Sequence, residues 1–110
     1  MGPDEGAVAV RAFRGSRRAS VYREHVLAAE AFARILATGR RAGLALLPSL
    51  DRRGRRELDK REAARLAAEL TTVRASGELL DLDADLTAVA EVARWCAHAP
   101  RGSWLRVERP

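Results

Sequence analysis

The sequence predicts a small α/β domain of the α+β kind: a three-stranded sheet covered by about three helices, in the order β-α-β-α-α-β. Three observations predict it. Apolar residues alternate over residues 7–14 and again over 104–108, the period of strands with one buried face. Between them, apolar residues recur every third or fourth position in three stretches, the period of helices that bury one stripe. Glycine, proline or serine punctuates the junctions. A mostly helical bundle with extended termini is the alternative reading.

In the first strand Val8, Val10 and Ala12 share one face and Arg11 and Phe13 the other. Gly15-Ser16 ends it. Ser20 is placed as the N-cap of a helix whose stripe is Tyr22, Val26, Ala29, Phe32, Ala33 and Leu36. That helix stops near Thr38-Gly39. Residues 44–47 (Leu-Ala-Leu-Leu) read as a short buried strand ended by Pro48. Residues 51–57 read as a basic loop turning at Gly54.

Asp59, with Glu62 three residues later, forms a capping box in which Asp replaces the usual Ser or Thr. Ala63, Leu66, Ala67, Leu70 and Val73 keep helical spacing behind it, and Ser76-Gly77 supplies the stop. Residues 78–82 lead to a third helix with Asp83 as its N-cap. Asp81 and Asp85 lie near its positive end. Leu86, Val89, Ala93 and Cys96 form its inner stripe, flanked by Val92 and Trp95, and Pro100 and Gly102 close it. The last strand turns Leu105 and Val107 inward. The first and last strands are expected to pair, because chain ends in small domains often lie close together.

The length of 110 residues fits one domain, 1–110, with a single core. That core is rich in small side chains: 22 Ala and 14 Leu against five aromatics, Phe13, Tyr22, Phe32, Trp95 and Trp104. Each large apolar side chain contributes roughly 1.5–3 kcal/mol on burial, an Ala methyl far less. The few large residues therefore carry most of the stability. No apolar run approaches the roughly 20 residues that cross a bilayer. The acidic start Met1-Gly-Pro-Asp-Glu-Gly has no signal-peptide pattern, and one cysteine, Cys96, closes no internal disulfide. These features point to a cytoplasmic protein, and the preference for Arg over Lys to a GC-rich bacterial genome.

Charge is distributed unevenly. Of the 20 basic residues, 19 are Arg. Between Val10 and Arg65 stand 15 basic and six acidic residues, a net of +9, whereas Ser76 to Glu91 holds five acids and no base. Such opposed fields bear on partners more than on fold. The acids Glu78, Asp81, Asp83 and Asp85 and the arginines Arg52, Arg53, Arg55 and Arg56 are the expected contacts of a protein partner. The acids match a basic cleft; their bland role is helix capping. The function expected is a non-enzymatic protein-binding module, an adaptor or neutralising partner of an intracellular effector. The rival is a binder of nucleic-acid backbones through Arg17, Arg18, Arg52, Arg53, Arg55 and Arg56, whose guanidinium groups grip phosphate in forks. No zinc-finger spacing, RNP aromatic pair or GXXG loop accompanies them. Pairing between copies, basic patch to acidic patch, is a further possibility.

No catalytic, metal or cofactor signature stands out. Two histidines and one cysteine do not make a metal cage, and the acid spacing fails the EF-hand pattern. Cys96 and His98 are two apart, so on one helix they do not face each other. His25 becomes of interest only if a carboxylate from another element meets it. Arg17-Arg18-Ala19-Ser20 has the look of a basophilic phosphorylation site, although Ser20 also serves as a plain cap. Trp95 and Trp104 are expected to fill the core where the last strand meets the third helix; either one, if exposed, becomes an interface anchor.

Overall fold

Alternation from Ala7 to Arg14 and from Trp104 to Arg109 builds two long strands, and these pair at the centre of the sheet. The structure, a computed structural model, describes residues 6–14, 20–52 and 54–109. The strands are β1 (Ala7–Arg14), β2 (Ser20–Ala28), β3 (Gly54–Leu58) and β4 (Trp104–Arg109). The helices are α1 (Ala29–Arg41), α2 (Leu46–Ser49), α3 (Lys60–Ala75) and α4 (Asp83–His98), and a 3₁₀ turn spans Leu80–Leu82. The sheet order is β2-β1-β4-β3, and each neighbouring pair is antiparallel. The α+β class and the pairing of first and last strands are as expected; the sheet has four strands rather than three.

Two strands were hidden in the sequence. Residues 20–28 are not the start of a helix: Ser20 opens β2, and the helix begins only at Ala29. Val26 fitted a helical stripe, yet on β2 it faces out, 48% exposed, while Leu27 is buried. Residues 54–58 are β3 rather than a loop. An edge strand with charged side chains buries little, here only Leu58, so it shows no apolar alternation. Conversely, residues 44–47 are not a strand. Leu46 and Leu47 open the one-turn helix α2, in which Pro48 is tolerated because the first amides of a helix have no helical acceptor.

The helices follow their stripes with three adjustments. In α1 Phe32, Ile35 and Leu36 are buried, Ala33 is exposed, and the helix runs through Thr38 and Gly39 to Arg41. Gly39 sits inside it for packing: a Cβ there would lie 2.9 Å from Leu47 Cδ2. The capping box of α3 is complete, with Glu62 N donating to Asp59 Oδ1 at 2.8 Å and Asp59 N donating to Glu62 Oε1 at 3.2 Å. Gly77, at φ 74°, ends that helix as its sequence required. At α4 the N-cap is Leu82, not Asp83, because the 3₁₀ turn already leads the backbone into the helix.

One core joins the elements. Val8, Val10, Ala12, Leu27, Leu58, Leu105 and Val107 line one face of the sheet, against Phe32, Ile35, Leu66, Leu70, Leu86 and Cys96 of the helices. The opposite face carries no described helix.

A candidate interaction surface on the open sheet face

Register places the residues of the open face. Directly opposed residues on neighbouring antiparallel strands share a face. One row therefore runs Val26–Ala9–Glu108–Arg55, the next Glu24–Arg11–Arg106–Glu57, and the third Val21–Phe13–Trp104. Val21 and Val26 are 47% and 48% exposed. Trp104 faces outward because Leu105 and Val107 face inward and strands alternate. The expectation that Trp104 fills the core is thereby corrected: it stacks on Phe13, with ring centroids 4.2 Å apart and planes 10° from parallel. Arg106 lies over both rings, its guanidinium carbon 4.9 Å from the Phe13 centroid and 5.1 Å from that of Trp104. Trp95 is half-buried and packs against the core from α4.

Salt bridges order the middle row. Arg11 Nε donates to Glu24 at 2.8 Å and its Nη1 to Glu108 at 3.3 Å, so one guanidinium holds carboxylates on both sides. The face carries three arginines and three glutamates and is electrically mixed rather than basic.

The acids of residues 78–85 turn to cations of the same chain. Arg34 grips Asp81 in a fork at 2.6 and 3.1 Å. Arg74 grips Asp83 at 2.6 and 3.3 Å. Arg41 reaches Glu78 at 3.5 Å. These partners hold the Asp81 and Asp83 carboxyls below their ordinary values, chiefly through the guanidinium hydrogen bonds. His25 Nε2 lies 2.7 Å from Asp85 Oδ1, a hydrogen bond from β2 to the first turn of α4. A carboxylate from another element thus meets His25. The nearby groove of about 270 Å³ between β2 and α4 is lined by Arg23, Glu24, Ala88, Glu91 and Val92, and not by this pair. The acidic stretch pins α1, α3 and β2 to the start of α4.

The basic candidates separate. Arg52 and Arg55 are exposed and make no ion pair among the described residues. Arg56 is half-buried, donating to the Ser49 carbonyl at 3.4 Å and standing 3.9 Å from Glu62. Arg17, Arg18 and Arg53 lie outside the described residues. Cys96 is fully buried and His98 exposed; burial pushes the Cys96 thiol up to about 11, leaving it a small neutral hydrophobe at physiological pH. Among the described residues no group of three His, Cys, Asp or Glu is placed to hold a metal ion, and no helix is long and apolar enough to cross a membrane.

Two important residues were not singled out in the sequence. Glu69 is buried on α3 and accepts from the Leu46 and Leu47 amides at 3.1 and 2.7 Å, capping α2. Its signal was legible: it occupies the slot between Leu66 and Leu70 where an apolar residue belongs. Arg106 was legible only as an outward residue between two inward ones.

Fold and surface together define a small α+β domain with helices on one side of an antiparallel sheet. Comparison with known proteins adds no relative: no family model, curated protein or solved structure matches the chain at a significant level.

Proposed function

We propose that this chain is a non-enzymatic protein-binding module, an adaptor or neutralising partner of an intracellular effector acting in the cytoplasm, and that its partner docks on the open face of the sheet. The observation that carries this is the Phe13–Trp104–Arg106 stack on a face with no described helix over it. Trp and Arg are the residues most enriched at the energetic centres of protein interfaces. The exposed Val21 and Val26 extend the apolar area along β2. Arg52 and Arg55 stand at the β3 edge, where exposed charge speeds encounter and selects partners. The mixed charge of the face favours a protein over a nucleic-acid backbone, whose affinity comes from Lys and Arg neutralising successive phosphates.

Photo-crosslinking in cells tests this. A benzophenone amino acid placed at Val26 or Glu57 reports the open face, and one at Arg61 reports the helical side. Protein adducts from the first two positions, lost from both when Trp104→Ala is added and from the Glu57 probe when Val26→Glu is added, are the expected result. Adducts from Arg61 alone, or captured nucleic acid, overturn the proposal.

A further inference from the structure

Resting on that reading, we infer that Arg106 is the residue that recognises the partner, and that the partner presents to it a carboxylate from an Asp or Glu side chain. In register Arg106 lies between Arg11 on β1 and Glu57 on β3. Its neighbour Arg11 is closed by two glutamates. Among the described residues the Arg106 side chain has no hydrogen-bond or ion-pair partner, and its Nε is buried without one. Burial takes this donor out of bulk solvent and no described residue accepts from it, an arrangement that costs free energy until an acceptor arrives. The stacked pair of rings lies to one side of the guanidinium, 4.9 and 5.1 Å from its carbon, and neither Nη is among the buried polar atoms without a partner, so the Nη edge is the part left to meet a ligand. A planar fork held in place and short of acceptors suits a carboxylate, which takes two parallel N–H bonds.

The surroundings select the class of partner. Glu57 and Glu108 border Arg106 on the same face, and Glu24 lies beyond Arg11 in the same row. A nucleic acid brings a charge on every nucleotide and meets these glutamates repulsively. A protein segment brings one carboxylate to one guanidinium and flanks it with apolar side chains for Trp104, Val21 and Val26. The occupant is therefore a protein segment with an acidic residue set among apolar ones.

The test is selection of nonapeptides from a random display library against the intact chain, with Arg106→Gln as counter-selection. Near-UV circular dichroism confirms that each variant is folded, and Arg106→Lys provides a variant that keeps the charge but loses the fork. The expected peptides share an Asp or Glu at one position. Replacing that acid by its amide weakens binding about tenfold or more, Arg106→Gln weakens it to the same degree, and the two changes together add little further loss. Arg106→Lys falls between. Peptides lost with Trp104→Ala or Val26→Glu but indifferent to the acid and to Arg106→Gln overturn the carboxylate assignment and leave the docking face standing. Peptides indifferent to all these changes overturn both. Failure to enrich any peptide over Arg106→Gln, or displacement of the peptides by a 20-nucleotide single-stranded DNA, overturns the assignment.

Discussion

Glu69 illustrates how a single side chain organises its surroundings. A buried carboxylate is costly unless hydrogen bonds compensate it. Glu69 receives two backbone N–H bonds from α2 and the guanidinium of Arg65 at 3.3 Å one helical turn away. The helix of four residues supplies almost no stability of its own, so its position depends on this cap. Glu69→Ala leaves two buried amides without acceptors and lowers unfolding free energy by roughly 1–3 kcal/mol. Urea denaturation checks the loss, and hydrogen exchange should accelerate at Leu46 and Leu47 before the rest of the core. Unchanged protection there would show that another group holds α2. The lone free thiol tells the opposite story: Cys96 has no polar role, and its place in the core accounts for its presence.

Elements are matched by shape as well as by pattern. α1 and α2 approach where Gly39 faces Leu47, and Leu47 is completely buried. On an isolated helix Gly→Ala gains about 1 kcal/mol. Here the added methyl meets Leu47 Cδ2 at 2.9 Å and Cγ at 3.3 Å, so the completely buried Leu47 side chain has to shift. Gly39→Ala is therefore expected to destabilise the domain by about 1–3 kcal/mol, and Leu47→Val in the same chain to recover part of that loss. A more stable Gly39→Ala protein would disprove the close approach. The two edge strands are both finished with charge. Arg23, Glu24 and His25 stand in the middle of β2, and Arg55, Arg56 and Glu57 fill β3. Charges so placed discourage further strands from adding to the edges, in keeping with the docking on the open face proposed above.

At the scale of the whole molecule, charge is arranged in pairs. The residues 78–85 cluster looks like an exposed acidic field in the sequence, yet Arg34, Arg41 and Arg74 come from 9 to 47 positions away to meet it. Asp51 is held below its ordinary value in the same way, first by Arg109 and then by Arg40. A carboxyl with a depressed folded-state value adds stability that is present above its unfolded value, near 3.8, and lost as pH falls through the folded one. Thermal stability should therefore hold from neutrality to about pH 5 and decline from about pH 4 downward. The triple variant Asp51→Asn, Asp81→Asn, Asp83→Asn should lose stability at neutral pH and show a shallower acid decline. An acid decline as steep as that of the parent would refute the pairing. Because these pairs are exposed, salt should weaken them at neutral pH.

What the sequence determined by itself is what local chemistry dictates: the strands with one apolar face, the stripe and capping box of α3, the stop at Gly77, the inner stripe of α4, and the inward turn of Leu105 and Val107. What only the tertiary structure decided depends on neighbours distant in the chain. β2 and β3 are strands because β1 and β4 offer them hydrogen bonds, not because their side chains alternate cleanly. Arg52 and Arg55 are exposed, as their place in a charged, apolar-poor stretch suggested. The acids of residues 78–85 were legible as charges but not as partners of Arg34, Arg74 and His25. Arg106 acquired its aromatic bed only when strand register set Phe13 opposite Trp104. Periodicity records which side of an element is buried; it does not record which element lies across from it, and charge pairing and surface chemistry depend on that second fact.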